Sequence, residues 1–467
     1  MDLNDKRVTV VGLGKSGLAC ARRLKELGAK VFITEALPKE QISVEVLKEI
    51  ESLSVACEFG GHTLSAIDQS FLIVVSPGVH LDLGIFEGAQ SRSIPVISEI
   101  ELAYRILNKP IIAVTGTNGK TTTTILITEV LKAGGFKAIA AGNIGFPLIA
   151  VDDGDLDYVV AEVSSYQLEG ILEFKPHISV ILNITEDHIE RHGSIDKYAK
   201  AKARIFENQR KENYLIYNAD SGRTRKLVKG AKATLVPFSR KRKHRSGFYV
   251  IHNQIICGLT DHDLKVCSRK DIFLKGEHNL ENCLAVVAVA KLCGISEQTV
   301  KKVLHDFKGV EHRIEYVDKF QGVEFYNDSK GTNPDSTVVA LKALAPVNKR
   351  GRKKKKIILI AGGKDKGVDI TQLCMYIKKV VKKIVLIGEA RERFSLTLHS
   401  LGFDAIMFSD SMESAVNAAN SVAGKGDIVL LSPACSSFDM FTNYEERGRV
   451  FKKAVARLID VKGEIKV

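Results

Sequence analysis

The stretch from Ile111 to Ala133 constrains the fold more than any other. A short apolar run, Ile111 to Val114, is followed by the turn Thr115-Gly116-Thr117-Asn118-Gly119-Lys120-Thr121-Thr122 and then by a helical pattern to about Ala133. An apolar strand with no polar alternation belongs in the middle of a parallel sheet covered on both faces. A glycine-rich turn between such a strand and a helix N-terminus leaves backbone amides pointing at an anion, with the partial positive charge of the helix behind them. The Lys120 ammonium would then reach the β- and γ-phosphates of a nucleotide, and the Thr121 hydroxyl a magnesium ion. The pattern departs from the strict phosphate-loop signature, whose first glycine would fall at Val114. A turn that only caps a helix has no need of a lysine followed by two threonines.

Strands alternate with helical stretches along almost the whole chain, which predicts α/β architecture with largely parallel sheets. For 467 residues, ordinary domain sizes give two to four domains, and the breaks suit three. Residues 1–98 read as strand Arg7 to Val11, a glycine turn, a helix to about Leu27 and strand Lys30 to Thr34, with further strands near Phe71 to Val75 and Pro95 to Ile97. Residues 99–309 add strands Tyr158 to Val163 and Ile178 to Leu182 to the one before the glycine turn. A hairpin at Gly247 to Gly258 and helices at about Asn279 to Cys293 and Ser296 to Phe307 complete this block. Residues 310–467 restart the alternation at Val323 to Tyr326, Ile357 to Ala361, Ile384 to Ile387 and Asp427 to Leu431, a length that suits one Rossmann-like domain.

Charge narrows the partners. The net charge is +13, but Arg240 to Arg245 and Lys349 to Lys356 carry twelve of these charges and leave a remainder of +1. Two local basic loops are not the broad basic face that a nucleic-acid backbone requires, so solvated loops are expected, with weak polyanion contact as the alternative. The longest apolar runs are far too short to cross a bilayer, and the N-terminus enters a strand without an apolar signal core, so a cytoplasmic protein is expected. The eight cysteines are scattered singly, with no C-x-x-C pair, as befits reduced, packed thiols.

A second glycine turn, Gly12-Leu13-Gly14-Lys15-Ser16-Gly17, also follows a strand and opens a helix, and Glu35 ends the next strand, where dinucleotide folds place an acid against ribose hydroxyls. Taken alone this motif is weak: it would serve a nicotinamide cofactor, another diphosphate, or only helix packing. Glu162 ends an apolar strand and is a candidate magnesium ligand or base facing the nucleotide crevice. Asn183 and Thr185-Glu186-Asp187-His188 follow the strand at Ile178 to Leu182, and His188 shares one sheet edge with Glu162 and the phosphate loop. Lys202 is one of three lysines, with Lys197 and Lys200, on the next helix, and by spacing alone it reads as a solvent-facing ammonium.

With the loop Gly116 to Thr122, Glu162-Val-Ser-Ser-Tyr-Gln167 and Asn183-Ile-Thr-Glu-Asp187-His188 in view, the sequence resembles the Mur ligase family along essentially its whole length. Three later motifs sharpen the resemblance: Gly276-Glu-His-Asn279-Leu-Glu-Asn282, Asn327-Asp-Ser-Lys-Gly-Thr-Asn333 and Ser432-Pro-Ala-Cys-Ser-Ser-Phe-Asp439. The Asp328-Ser329-Lys330 form matches the glutamate-adding member. The resemblance implies an N-terminal Rossmann-like UDP-binding domain, a central ATPase domain and a C-terminal Rossmann-like domain that swings in with the amino acid. The substrates would be UDP-N-acetylmuramoyl-L-alanine, D-glutamate and ATP, joined through an acyl-phosphate by a monomer.

The same resemblance assigns residues. Gly14, Lys15, Ser16, Glu35, Ser76, Pro77, Gly78 and Asn143 would hold the UDP-linked substrate, with Asn143 and His188 facing its reacting carboxylate. Gly116 to Thr122, Asn279, Asn282, Arg313, Asp328 and Lys330 would contact ATP. Thr121 and Glu162 would bind one Mg2+, and His188 with a carbamylated Lys202 a second. Thr332, Lys366, Ser437 and Tyr444 would bind glutamate. Lys120, Asn143, His188 and Lys202 are the expected catalytic residues. Three rival readings stay open: another Mur or folate-type ligase, an NAD-dependent dehydrogenase, and a non-enzymatic nucleotide- or nucleic-acid-binding protein.

Overall fold

The computed structural model describes residues 1–259, 263–345, 355–365 and 367–463. It is a three-sheet α/β protein in two compact units, Met1–Ile272 with Asn279–Asp306, and Phe273–His278 with Phe307–Val467. In the first unit a five-stranded parallel sheet runs Ala56–Phe59, Lys30–Glu35, Arg7–Val11, Leu72–Val75, Val96–Ser98 across its width. Its central strands are buried from Val8 to Val11 and from Leu72 to Val75, as the apolar runs require when both faces are covered. Helix Lys15–Glu26 leaves the glycine turn so tightly that any side chain at Gly17 would overlap the Gly12 carbonyl.

The second sheet of this unit has nine strands, in the order Leu264–Ser268, Gln254–Cys257, Phe248–Ile251, Thr234–Ser239, Tyr214–Asn218, Ile178–Ile181, Ile111–Thr115, Tyr158–Glu162, Ala138–Gly142. It is parallel except at the hairpin edge, where the chain turns back through His252 and Asn253 at φ 47° and 60°. Positive φ at both central residues is what a two-residue hairpin turn demands. In the expected basic loop 240–245, Arg240 pairs with Glu281 and Lys243 with Asp263. Most of the second basic run, residues 349–354, lies outside the described residues.

The second unit carries a six-stranded sheet in the order Glu315–Phe320, Val323–Asn327, Ile428–Leu431, Ile357–Gly362, Val381–Ile387, Ile406–Phe408. Only the first pairing is antiparallel. Its core lies on both faces of the sheet, against helices such as Thr371–Val380 on one side and Met412–Val422 on the other.

Two buried carboxylates mark the junction between the sheets of the first unit. Glu101 accepts the amides of Leu172, Glu173 and Phe174 and the Arg105 guanidinium, so its charge is satisfied. Glu99 accepts the Ile149 amide at 2.7 Å, but its second oxygen finds no hydrogen-bond partner among the described residues, and burial pushes its pKa from 4.5 up to about 7. A carboxyl raised on folding contributes stability that is complete below about pH 4.5 and lost as pH rises through about 7. Glu99→Gln is therefore expected to raise the melting temperature at pH 8, by on the order of 1–3 kcal/mol of stability, and to leave it nearly unchanged below pH 4.5. Equal effects at both pH values in a thermal melt would contradict this.

Candidate active site

Strand Ile111–Thr115 lies between Ile178–Ile181 and Tyr158–Glu162, so the chain leaves it toward one side and later returns on the other. Such a switch point opens a crevice at the carboxyl ends of the strands. Register then brings three distant motifs together: Val114 pairs with Glu162 and Thr115 with Ile181, so the phosphate loop, Glu162 and the segment from Asn183 emerge side by side.

The loop is clamped. The Asn118 amide donates to Asn183 Oδ1 at 2.9 Å, Asn183 Nδ2 donates to the Asn118 carbonyl at 3.0 Å, and the Thr117 amide donates to the Asn183 carbonyl at 2.9 Å. Gly119 adopts φ 86°, and a side chain there would run into the Asn282 amide, which places Asn282 against the loop. Asn282 in turn donates to Asn279. Lys120 opens helix Lys120–Ala133 and folds its ammonium back onto the carbonyls of Gly116 and Thr117, both at 2.9 Å.

Glu162 is 2% exposed. One carboxylate oxygen accepts from Thr121 Oγ1 at 2.8 Å and the other from Asn143 Nδ2 at 2.9 Å. A buried carboxyl whose hydrogen bonds come from two neutral donors offers oxygens that a hard divalent cation would match. Among the described residues no three His, Cys, Asp or Glu side chains form a ready metal cage.

Lys202 is not the solvent-facing ammonium that its spacing suggested. It is 1% exposed, whereas Lys197 and Lys200 on the same helix are exposed. Its Nζ donates to Thr115 Oγ1 at 3.4 Å and lies 4.7 Å from the centroid of the Tyr198 ring. Burial, with the neighbouring Lys120 charge, holds its pKa well below the usual lysine range, against the pull of Asp187 and Glu162. The spacing of Tyr198, Ala199 and Lys202 on helix Ile195–Ala203 is that of one buried face, a signal legible once Tyr198 is taken as core.

His188 sits at φ 52°, partly exposed, with its ring 5.0 Å from Tyr166 and 6.1 Å from Tyr198. Sequence reasoning passed over Tyr198. Its hydroxyl lies 3.3 Å from Thr117 Oγ1, while its ring carries Lys202 on one side and meets His188 on another.

At the other glycine turn, Ser76 Oγ donates to the Gly12 carbonyl at 2.8 Å, and Gly14 and Lys15 are exposed beyond it, with Ser16 half-buried. Pro77 and Gly78 follow at the same strand end, half-buried and exposed. Glu35 accepts the Leu13 amide at 2.6 Å on one oxygen and the Leu37 amide at 2.9 Å on the other. It braces the turn, and neither oxygen is left bare.

The second unit gathers its own cluster, because Asn327 pairs with Leu431 and Leu431 with Ile360. Asp328 accepts from Ser432 Oγ at 2.7 Å and from the Ile314 amide next to Arg313, and burial pushes its pKa up to about 7. Lys330 lies 5.5 Å over the ring of Tyr444, the Thr332 amide donates to the Lys330 carbonyl, and Ser437 is buried in the neighbouring loop. Beneath them the fully buried Arg447, which sequence reasoning missed, donates to Ser329 and to the carbonyls of Cys435 and Ser436. Lys366 lies outside the described residues.

Family models match three consecutive stretches: "Mur ligase MurD-like, N-terminal domain" at residues 6–98, "Mur ligase middle domain" at 114–290 and "Mur ligase, glutamate ligase domain" at 312–435. The chain is 46% identical over 98% of its length to the whole UDP-N-acetylmuramoylalanine–D-glutamate ligase of a Thermoanaerobacter species. It is equally similar, 46% over 98% of the chain and all of the relative, to the protein of that name from Caldanaerobacter subterraneus. Among solved structures, a UDP-N-acetylmuramate–alanine ligase from Thermotoga maritima superposes with TM-score 0.56 at 20% identity, covering 97% of this chain and 99% of that one. At that identity the superposition speaks for the fold alone.

Proposed function

The chain belongs to the Mur ligase family, and from that premise we propose that it adds D-glutamate to UDP-N-acetylmuramoyl-L-alanine at the expense of ATP, a step of peptidoglycan precursor synthesis. The choice of amino acid is supported by relatives of that name that match at 46% identity over their full length. The reaction class rests on one feature of the site: a buried carboxylate, Glu162, held between Thr121 and Asn143 beside the Lys120 phosphate loop. We assign residues 1–98 to the UDP-sugar, 99–309 to ATP and 310–467 to the amino acid. No described helix is long and apolar enough to cross a membrane. A cytoplasmic monomer completes the reading.

In this mechanism the alanine carboxylate of the UDP-linked substrate attacks the γ-phosphorus of ATP, releasing ADP and forming an acyl-phosphate. The amine of D-glutamate then attacks the acyl carbonyl, loses a proton, and phosphate departs. Lys120 exchanges its loop carbonyls for phosphate oxygens and follows the charge of the transferring group. Asn143 keeps one side of the reacting carboxylate in line, and His188 faces the other. Thr121 and Glu162 would hold one Mg2+, and His188 with Lys202 a second; bound there, the ions neutralise phosphate charge. For Lys202 this requires a carbamate. An unprotonated amine adds carbon dioxide, gives up one proton, and becomes an anionic oxygen ligand. In the second unit Lys330, Thr332, Lys366, Ser437 and Tyr444 would bind phosphate and glutamate, with Asp328 and Arg313 on the nucleotide.

Labelling the substrate's alanine carboxylate with oxygen-18 tests the acyl-phosphate directly. One labelled oxygen is expected in the released phosphate, seen as a mass shift. Unlabelled phosphate alongside amide product would rule this route out.

A further inference from the structure

The UDP-linked substrate is one extended molecule that this reading holds at two places, its diphosphate at the Gly12 to Gly17 turn and its carboxylate near Asn143 and His188. Both ends must be bound at once, so the separation of the two loops is itself part of the site.

One guanidinium spans the gap. Arg191 lies in the short turn of helix Ile189–His192, immediately after His188, and its side chain is 9% exposed. Its Nη2 donates to the Val79 carbonyl at 3.0 Å and to Glu169 Oε2 at 2.7 Å. Val79 directly follows Ser76-Pro77-Gly78, and Ser76 holds the Gly12 carbonyl. Glu169 ends helix Ser165–Glu169, which begins three residues after Glu162. The planar cation also lies 4.9 Å from the centroid of Tyr166, whose ring is 5.0 Å from that of His188. Glu169 is held from a second side by His192, whose other ring nitrogen lies 3.0 Å from Ser165 Oγ. Each contact of Arg191 is thus fixed by a further one, and Arg191 and Val79 are 112 residues apart in the chain.

We propose that Arg191 is a positioning residue: it straps the loop Ser76–Val79 of the first sheet to the His188 turn of the second, and so sets the span over which the UDP-linked substrate must stretch. A guanidinium suits the task because its planar fork donates to a carbonyl and a carboxylate together while stacking on a ring, which a lysine ammonium does not do. The strap acts only on a ligand that reaches both loops. UDP alone touches one end.

This inference rests on the ligase reading, and the experiment separates the two. Turnover with the full UDP-linked substrate is measured for wild type and Arg191→Ala, and UDP alone is titrated by calorimetry into both. The expected result is a fall in kcat/KM for the full substrate of about 10- to 100-fold, with unchanged affinity for UDP and partial recovery in Arg191→Lys. If Arg191→Ala does not fold, Glu169→Ala takes its place, since it removes the carboxylate that holds the guanidinium. Equal loss for UDP alone would show that Arg191 only shapes the first loop, and unchanged turnover that it does nothing; either overturns the strap. A wild-type chain that does not turn over the full substrate overturns the ligase reading instead.

Discussion

Lys120→Ala is expected to lower kcat by about 10² to 10⁴, roughly 3–5 kcal/mol of transition-state stabilisation. The ammonium is the one group of the loop that can follow charge as it moves onto the transferring phosphoryl group. In the structure it rests on the carbonyls of Gly116 and Thr117, contacts that nucleotide phosphates would replace. The loop does not depend on it for its shape, because Asn183 pins Asn118 and Thr117 through three separate hydrogen bonds. The variant should therefore fold and melt near the wild-type temperature while failing in turnover. Steady-state kinetics beside a thermal melt separates the two effects. Near-normal turnover in a folded variant would remove this loop from the chemistry.

Lys202→Ala should be nearly inactive, and Lys202→Arg no better although it keeps a positive charge. The residue is sealed beneath the phosphate loop, and burial with Lys120 beside it favours the neutral amine, the form that reacts with carbon dioxide. As a carbamate it would present an anionic oxygen to a hard cation, whereas an ammonium there would repel one. Added formate or acetate should then partly restore Lys202→Ala by refilling the anionic position, and small amines should not. Rescue by amines, or good activity in Lys202→Arg, would return Lys202 to the role of a buried cation packed on Tyr198.

Much of the site was legible because its residues stand at the ends of apolar strands. Glu162 after Val159 to Ala161, and the glycine turn after Ile111 to Val114, announce themselves by a sudden change from apolar to polar at a strand's carboxyl end. Lys202 was not legible, since a helix carrying Asp196, Lys197 and Lys200 reads as solvated until Tyr198 is known to be buried. Glu35 shows a second limit. An acid at a strand end serves equally to meet a ribose or to hold a turn, and only the structure shows its two oxygens taken by Leu13 and Leu37.

The strands that sequence reasoning passed over are mostly edges. Ala56–Phe59 and Glu315–Phe320 are half-exposed, so their sequences lack a clean apolar run or alternation, and Ile406–Phe408 is an apolar run of only three residues. Ala138–Gly142, also an edge, is built of small residues around the single Ile139, too few strand formers to announce a strand, and pairing with Tyr158–Glu162 makes it one. Arg447 could not have been found from its helix, whose charged first turn, with Glu445 and Glu446, gives no hint that the next arginine is the buried one.

Phosphate release from ATP, measured with UDP-N-acetylmuramoyl-L-alanine and a panel of D- and L-amino acids, bears most directly on what this chain does. D-glutamate alone should raise release well above background, with none when the sugar nucleotide is omitted. Stimulation by a different amino acid, by L-glutamate as strongly as by D-glutamate, or without the sugar nucleotide, would contradict the assignment.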